Sequence, residues 1–187
     1  MKQSWKPGTM LNPLPAVIVS CGDSEYSNLI TVAWTGTICT NPPMLYISVR
    51  PERFSYDIIK KNMEFTVNLT TERMANATDW VGVRSGRDYD KWKETGLTPY
   101  PGQAVVCPAI DESPLSIECR VKEILNLGSH DMFIAEVVNV LADERYINQE
   151  NGKFELEKAN LLQFSHGQYF ATGRLLGNFG FSVRKKP

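Results

Sequence analysis

Histidine is scarce in this chain, with two in 187 residues, and the four cysteines are scattered. Cys21, Cys39, Cys107 and Cys119 contain no C-x-x-C pair, so neither a zinc ribbon nor a thioredoxin-like dithiol is supported, and no metal site is expected. No G-x-x-x-x-G-K-[ST] occurs and no G-x-G-x-x-G follows a strand, which excludes nucleotide binding through either loop type. A G-x-S-x-G elbow is also missing, leaving a hydrolase of the Ser-His-Asp kind without support. There is no basic excess: the formal net charge is -1 and the pI is near 6.1. That balance argues against a binder of nucleic-acid backbones. No run of about 18 apolar residues is present, so a membrane span is not expected. The opening MKQSWKPGTMLNPLP is polar, Pro-broken and without the apolar centre of a secretory signal. A cytoplasmic protein with four reduced, packed thiols is the expectation.

What the chain does contain is enough apolar residue, 42%, to build a core, and its length predicts one domain over residues 1–187. There is no repeat, low-complexity tract or linker. Ala16–Ser20 reads as a strand closed by the turn signal Cys21-Gly22-Asp23-Ser24. Leu29–Trp34 and Met44–Val49 read as the next two strands, with a Thr/Gly/Asn/Pro loop between them. Pro42-Pro43 falls at a strand mouth, where a missing amide donor is tolerated. Phe54–Asn62 then reads as a helix, with Phe54, Ile58 and Ile59 on one face and Ser55 as its N-terminal cap. Asp57 and Lys60-Lys61 sit at the ends that suit their charges.

Phe65–Leu69 is a strand by composition, and Thr71 is expected to cap a second helix reaching about Val81 with a Met74, Ala77, Val81 stripe. Ile117, Cys119 and Val121 alternate with Glu118, Arg120 and Lys122, which predicts one wet face. Asp131–Leu141 is apolar on both faces, as expected of a central strand or of one that meets another subunit. Many short antiparallel strands with hairpin punctuation and two or three helices predict a mainly β fold with helical additions, a barrel of Greek-key type.

The segment 28–62 gathers small hydroxyls, one Trp, two Arg and a helix start near strand ends, an assembly suited to a flat ligand carrying a phosphate. Arg50 and Arg53 before Ser55 make a candidate anion site; a plain cap beside solvated arginines is the commoner outcome for such a segment. Thr31, Thr35 and Thr37 offer hydroxyls for a polyol chain, against the default of ordinary strand threonines. Trp34 offers a ring face, against the usual buried core Trp. Lys91 offers a charge, against a solvated charged loop. His130, at the mouth of the most apolar strand, offers a hydrogen bond or a proton, against a satisfied turn His. His166 has weaker context.

Taken in order, these pieces resemble the flavin reductase-like family of FMN-binding split barrels, in its flavoredoxin-like branch. The matching stretches are Pro15–Val19, Asn28–Gly36, Asn41–Met44, Ile47–Ser55, Phe65–Asn68, Ser85–Lys91, Gly128–Val137 and Tyr169–Gly173. The resemblance implies a split barrel that forms a homodimer with FMN near the subunit interface. It implies that Trp34, Thr35, Gly36 and Thr37 line the ring and ribityl chain, with Thr31 nearby. By the same likeness Ser48, Arg50, Arg53 and Ser55 surround the phosphate. Lys91 and His130 approach the flavin, where Lys91 or a protonated His130 would stabilise a reduced anionic ring, and Phe164 contacts the ring. The implied activity is electron transfer from NAD(P)H through FMN to a small acceptor or a redox partner protein, with no side chain required as a general acid. The alternatives are an FMN-holding electron carrier and a split barrel without flavin.

Overall fold

The computed structural model describes residues 1–183. Its largest sheet has seven strands, all paired antiparallel: β2 (Val17–Gly22), β3 (Ser27–Val32), β4 (Thr35–Thr40), β5 (Pro43–Val49), β6 (Glu64–Leu69), β9 (Leu115–Asn126) and β10 (Asp131–Ala142). The order across it is β3-β2-β6-β9-β10-β5-β4. Hairpins join β2 to β3 and β4 to β5, while longer connections bring β6 beside β2 and β10 beside β5. The end strands β3 and β4 do not pair with each other, so the barrel stays split. A second sheet, β1-β11-β12 (Leu14–Pro15, Leu162–Ser165, Gln168–Ala171), stands beside it, and β7 (Pro99–Tyr100) pairs with β8 (Ala109–Ile110). The mainly β, antiparallel split barrel expected from the sequence is the fold found.

Strand β2 is buried on both faces because two apolar clusters meet across it. On one side Val19, Ile47, Phe65 and Phe133 close on Ile59 of helix α1 (Phe54–Asn62). On the other Ile18 and Leu29 meet Met74 and Val81, the latter from helix α2 (Ala75–Val83). Each fully buried side chain of this size contributes about 1.5–3 kcal/mol of transfer free energy. Helix α1 ends where Met63 turns left-handed at φ 55° and its amide bonds the Ile59 carbonyl at 2.8 Å. Strand β10 lies centrally between β9 and β5, as its two-sided apolar pattern predicts.

Four local expectations fail. Thr71 does not cap the second helix: it precedes a 3-10 turn, Glu72–Met74, without a side-chain cap bond, and α2 begins at Ala75. The segment Thr35–Thr40 is an edge strand, not a loop. Thr35, Thr37, Ile38 and Thr40 are β-branched, and at an edge the flexible Gly36 and a bulge between Thr37 and Cys39 are tolerated. The outer face of β9 is not uniformly wet, because Glu118 is fully buried. The folded-over segment 101–108 satisfies it: Gln103 N and Ala104 N donate to its carboxylate at 2.7 and 3.0 Å, and Asn139 Nδ2 donates at 2.7 Å. Ser55 does not cap α1; the position before the helix is Arg53, with no side-chain cap. Ser55 lies inside the first turn, buried, where its Oγ accepts from Asn28 Nδ2 at 2.8 Å.

All four cysteines are free, with Cys21, Cys107 and Cys119 buried and Cys39 half-buried. Among the described residues no helix is long and apolar enough to cross a membrane, and no cluster of metal-ligating side chains occurs.

Candidate functional site

A cleft of about 520 Å³ opens where the ends of β3 and β5, the start of α1, the last turn of α2, the β9–β10 hairpin and the small sheet converge. Its size falls within the range of small-molecule sites. Trp34, just past β3, and His130, just before β10, line it with nearly parallel rings, 6° between planes and 6.3 Å between centroids. Trp34 is 37% exposed, unlike a core tryptophan. Its carbonyl accepts from Ser48 N at 2.8 Å, which holds this crossing strand-end against β5.

His130 is positioned by the hairpin around it. Asp131, buried, takes a hydrogen bond from Tyr56 Oη at 2.5 Å and another from Asn126 Nδ2 at 2.8 Å, locking α1, β9 and β10 together at that corner. The His130 Nδ1 pairs with Ser129 Oγ at 2.9 Å, leaving Nε2 as the uncommitted nitrogen. Burial, then the nearby Arg50 guanidinium, lowers the His130 pKa, and Glu52 opposes them. The ring is therefore neutral at pH 7, where it offers a hydrogen bond rather than a charge.

The cationic side of the cleft is the start of α1. Arg50 is a surface residue whose Nη1 lies 3.3 Å from Glu52 Oε1. Arg53 donates from Nη2 to the Gly82 carbonyl at 2.7 Å, pulling the C-terminal end of α2 against α1. Arginine carries no acceptor, so with Arg53 at the position before the helix the first-turn amides of α1 receive no side-chain cap. A helix of nine residues with an uncapped start and two flanking guanidinium groups attracts anions. The opposite wall differs in sign. Asp79 and Tyr169 line it, and burial, then the Asp79 carboxylate, push the Tyr169 phenol up to about 12. An anionic group is thereby directed to the Arg50–Arg53 side.

Of the twelve residues singled out from sequence, Thr31, Trp34, Ser48, Arg50, Arg53, His130 and Phe164 line this cleft together. Thr31 already donates from Oγ1 to Thr78 O at 2.5 Å, so only its lone pairs face a ligand. Five others stand elsewhere. Thr35 is buried and donates to Tyr46 O at 2.5 Å, whereas Gly36 and Thr37 follow along the edge strand. Ser55 is sealed in the helix.

Lys91 is neither loop nor exposed: it opens helix α3 (Lys91–Thr95), 4% exposed, and donates from Nζ to Leu29 O at 2.9 Å and Val81 O at 2.7 Å. Burial, and then Arg53, lower its pKa to about 8. It sits behind the cleft wall, gripping the same α2 terminus as Arg53.

Sequence reading missed Asp79, Gly82, Val83 and Tyr169. Only Tyr169 carried a signal, as part of the stretch Tyr169–Gly173. Gly82 packs closely on Thr31: a Cβ there would lie 3.2 Å from Thr31 Cβ, so Thr31 would have to shift by a few tenths of an ångström to admit one.

Residues 10–173 match the Flavin reductase like domain. In structure the chain is similar to flavoredoxin of Desulfovibrio vulgaris (Miyazaki F), with 28% identity, a TM-score of 0.90, and coverage of 98% of this chain and 100% of that one. It is also similar to flavoredoxin from Methanosarcina acetivorans, at 26% identity and TM-score 0.87, covering 98% and 100%. In sequence it is 28% identical over 163 residues to an uncharacterized protein of Pyrococcus abyssi, covering 87% of this chain and 92% of that protein.

Proposed function

This chain belongs to the flavin reductase like domain family, and on that premise we propose that it binds FMN in the cleft and passes electrons from NAD(P)H through it to a small acceptor. The observation that carries the reading is one cleft with two parallel aromatic rings and an uncapped, arginine-flanked helix start. The rings suit a planar heterocycle and the helix start a phosphate.

The phosphate contributes about two negative charges, and a helix start returns at most ~2 kcal/mol for them. Micromolar retention needs about 8 kcal/mol, so burial of the ring beside Trp34 must supply much of the rest. When bound, the flavin supplies the hydride and electron chemistry. Trp34 and Phe164 exclude water from the ring, and Ser48, Arg50 and Arg53 hold the phosphate. His130 offers Nε2 to a polar edge of the ring. Lys91 keeps the α2 terminus fixed against Arg53. Of the three residues on β4, Gly36 pairs with Tyr46 and shares its outer face, so it would meet a flavin from the side of a second subunit, whereas Thr35 and Thr37 pair with the buried Ile47 and Leu45 and lie on the other face.

We further propose a homodimer. Met44 and Tyr46 on β5, Met132 and Ile134 on β10, and Leu125 on β9 share the half-exposed outer face by register. Ser48 lies on that face and also lines the cleft, so a second copy there borders the site. A cytoplasmic location fits this chemistry and the free thiols.

The second reading is an electron carrier that holds FMN without its own NAD(P)H turnover, favoured by the structural likeness to two flavoredoxins. Mixing FMN-loaded protein with NADH or NADPH under anaerobic conditions separates the two. Rapid bleaching without a protein partner supports the enzyme. No bleaching on that timescale supports the carrier.

A further inference from the structure

Both ends of the chain leave the small sheet β1-β11-β12 as extended arms. Residues 1–13 contain no helix or strand and are exposed nearly throughout, and residues 172–183 contain only a short turn of helix, Phe181–Val183. Trp5, Met10, Leu11, Leu175, Leu176 and Phe179 are 55–105% exposed, a density of large apolar side chains far above that of the barrel surface. The C-terminal arm is nonetheless shaped. The Phe181 ring lies against Gly177, where a Cβ would come within 2.6 Å of it, and Phe181 N donates to Asn178 O at 2.9 Å.

Charge is segregated along the same division. All 21 Asp and Glu lie within residues 14–171, together with 14 of the 20 Lys and Arg, which leaves that body at -7. In sequence, residues 1–13 and 172–187 hold no Asp or Glu and six Lys or Arg: Lys2, Lys6 and Arg174, and, outside the described residues, Arg184, Lys185 and Lys186. An apolar, purely basic pair of arms is complementary to a surface that is acidic overall and carries apolar ground. The barrel of this chain has both, the apolar ground being the outer face of β5, β10 and β9.

We propose that the two arms dock on a second copy of this chain, crossing the β5–β10–β9 face and gripping the partner barrel by apolar insertion and charge. The inference rests on the proposed homodimer and adds what holds it together. It also links assembly to the flavin site, because the arms spring from the sheet whose Phe164 and Tyr169 wall the cleft.

The test uses the whole chain without added flavin. With the photoreactive residue p-benzoylphenylalanine at position 179, illumination is expected to give a covalent species of twice the chain mass, its adduct mapping to β5, β10 or β9. Sedimentation of a Leu176→Ser, Phe179→Ser double variant is expected to show a dimer dissociation constant raised roughly tenfold or more, and weaker still in high salt. Dimers that persist unchanged in the double variant overturn the arm inference and leave the proposed dimer standing. A wild-type chain that sediments as a monomer throughout overturns both. Arms that bind vesicles of phosphatidylcholine and phosphatidylglycerol, with no crosslink between chains, overturn it in favour of a lipid surface.

Discussion

Trp34 and His130 face the same cleft with their ring planes 6° apart and their centroids 6.3 Å apart, although 95 residues of sequence separate them. One follows the first hairpin and the other precedes the central strand, and only the sheet order brings them together. Trp34→Ala removes the larger apolar face, and FMN should bind about 10- to 100-fold more weakly. Trp34→Phe should recover part of the loss. Quenching of flavin fluorescence on titration measures both.

Arg50 is the cleaner of the two arginines to test, since among the described residues its side chain pairs only with Glu52 on the surface. Losing a charged hydrogen bond to the phosphate costs about 1.5–3 kcal/mol. Arg50→Gln should therefore weaken FMN by about 10-fold or more and leave riboflavin, which has no phosphate, nearly unchanged. Equal weakening of both ligands would move the phosphate elsewhere.

Three of the four thiols are out of reach. Burial pushes Cys21 and Cys107 up to about 12 and raises Cys119 as well. Iodoacetamide at neutral pH should alkylate the native chain at Cys39 alone and all four cysteines after unfolding, as read by mass spectrometry.

Lys91 should leave a signature in stability against pH. Its ordinary value of 10.5 falls to about 8 in the fold, so between those values the unfolded chain binds more protons than the native one. Stability from this group then rises with pH across that window. From pH 8 to 9 the Lys91 contribution is about 1 kcal/mol. The raised thiols, whose unfolded value is 9.0, act in the opposite direction over the same interval, so the gain is read from the difference between wild type and a variant that keeps the cysteines. Comparison of wild type with Lys91→Met by urea unfolding at the two pH values should show it disappear in the variant.

The parts of the site legible in the sequence are those whose chemistry is local. Arg50 and Arg53 precede a helix start, and Trp34 follows a β-branched strand, so composition and spacing place them. Ser55 looked like a cap because Ser at a helix start usually is one; the Asn28 amide draws it inward instead, and that contact joins residues 27 apart. Lys91 looked solvated because it sits in a charged run, but its Nζ finds two carbonyls from β3 and α2 that no local pattern displays. Glu118 misled for the same reason, its partners being amides of a loop 14 and 15 residues away. The strand pattern of Thr35–Thr40 was hidden by Gly36 and the bulge, which an edge position permits.

Central to the account is an FMN held in the Trp34–His130 cleft with its phosphate at Arg50 and Arg53. Purified protein incubated with FMN and then freed of excess by gel filtration should carry the flavin absorbance with it, at one FMN per chain. Colourless protein after that treatment would contradict the account.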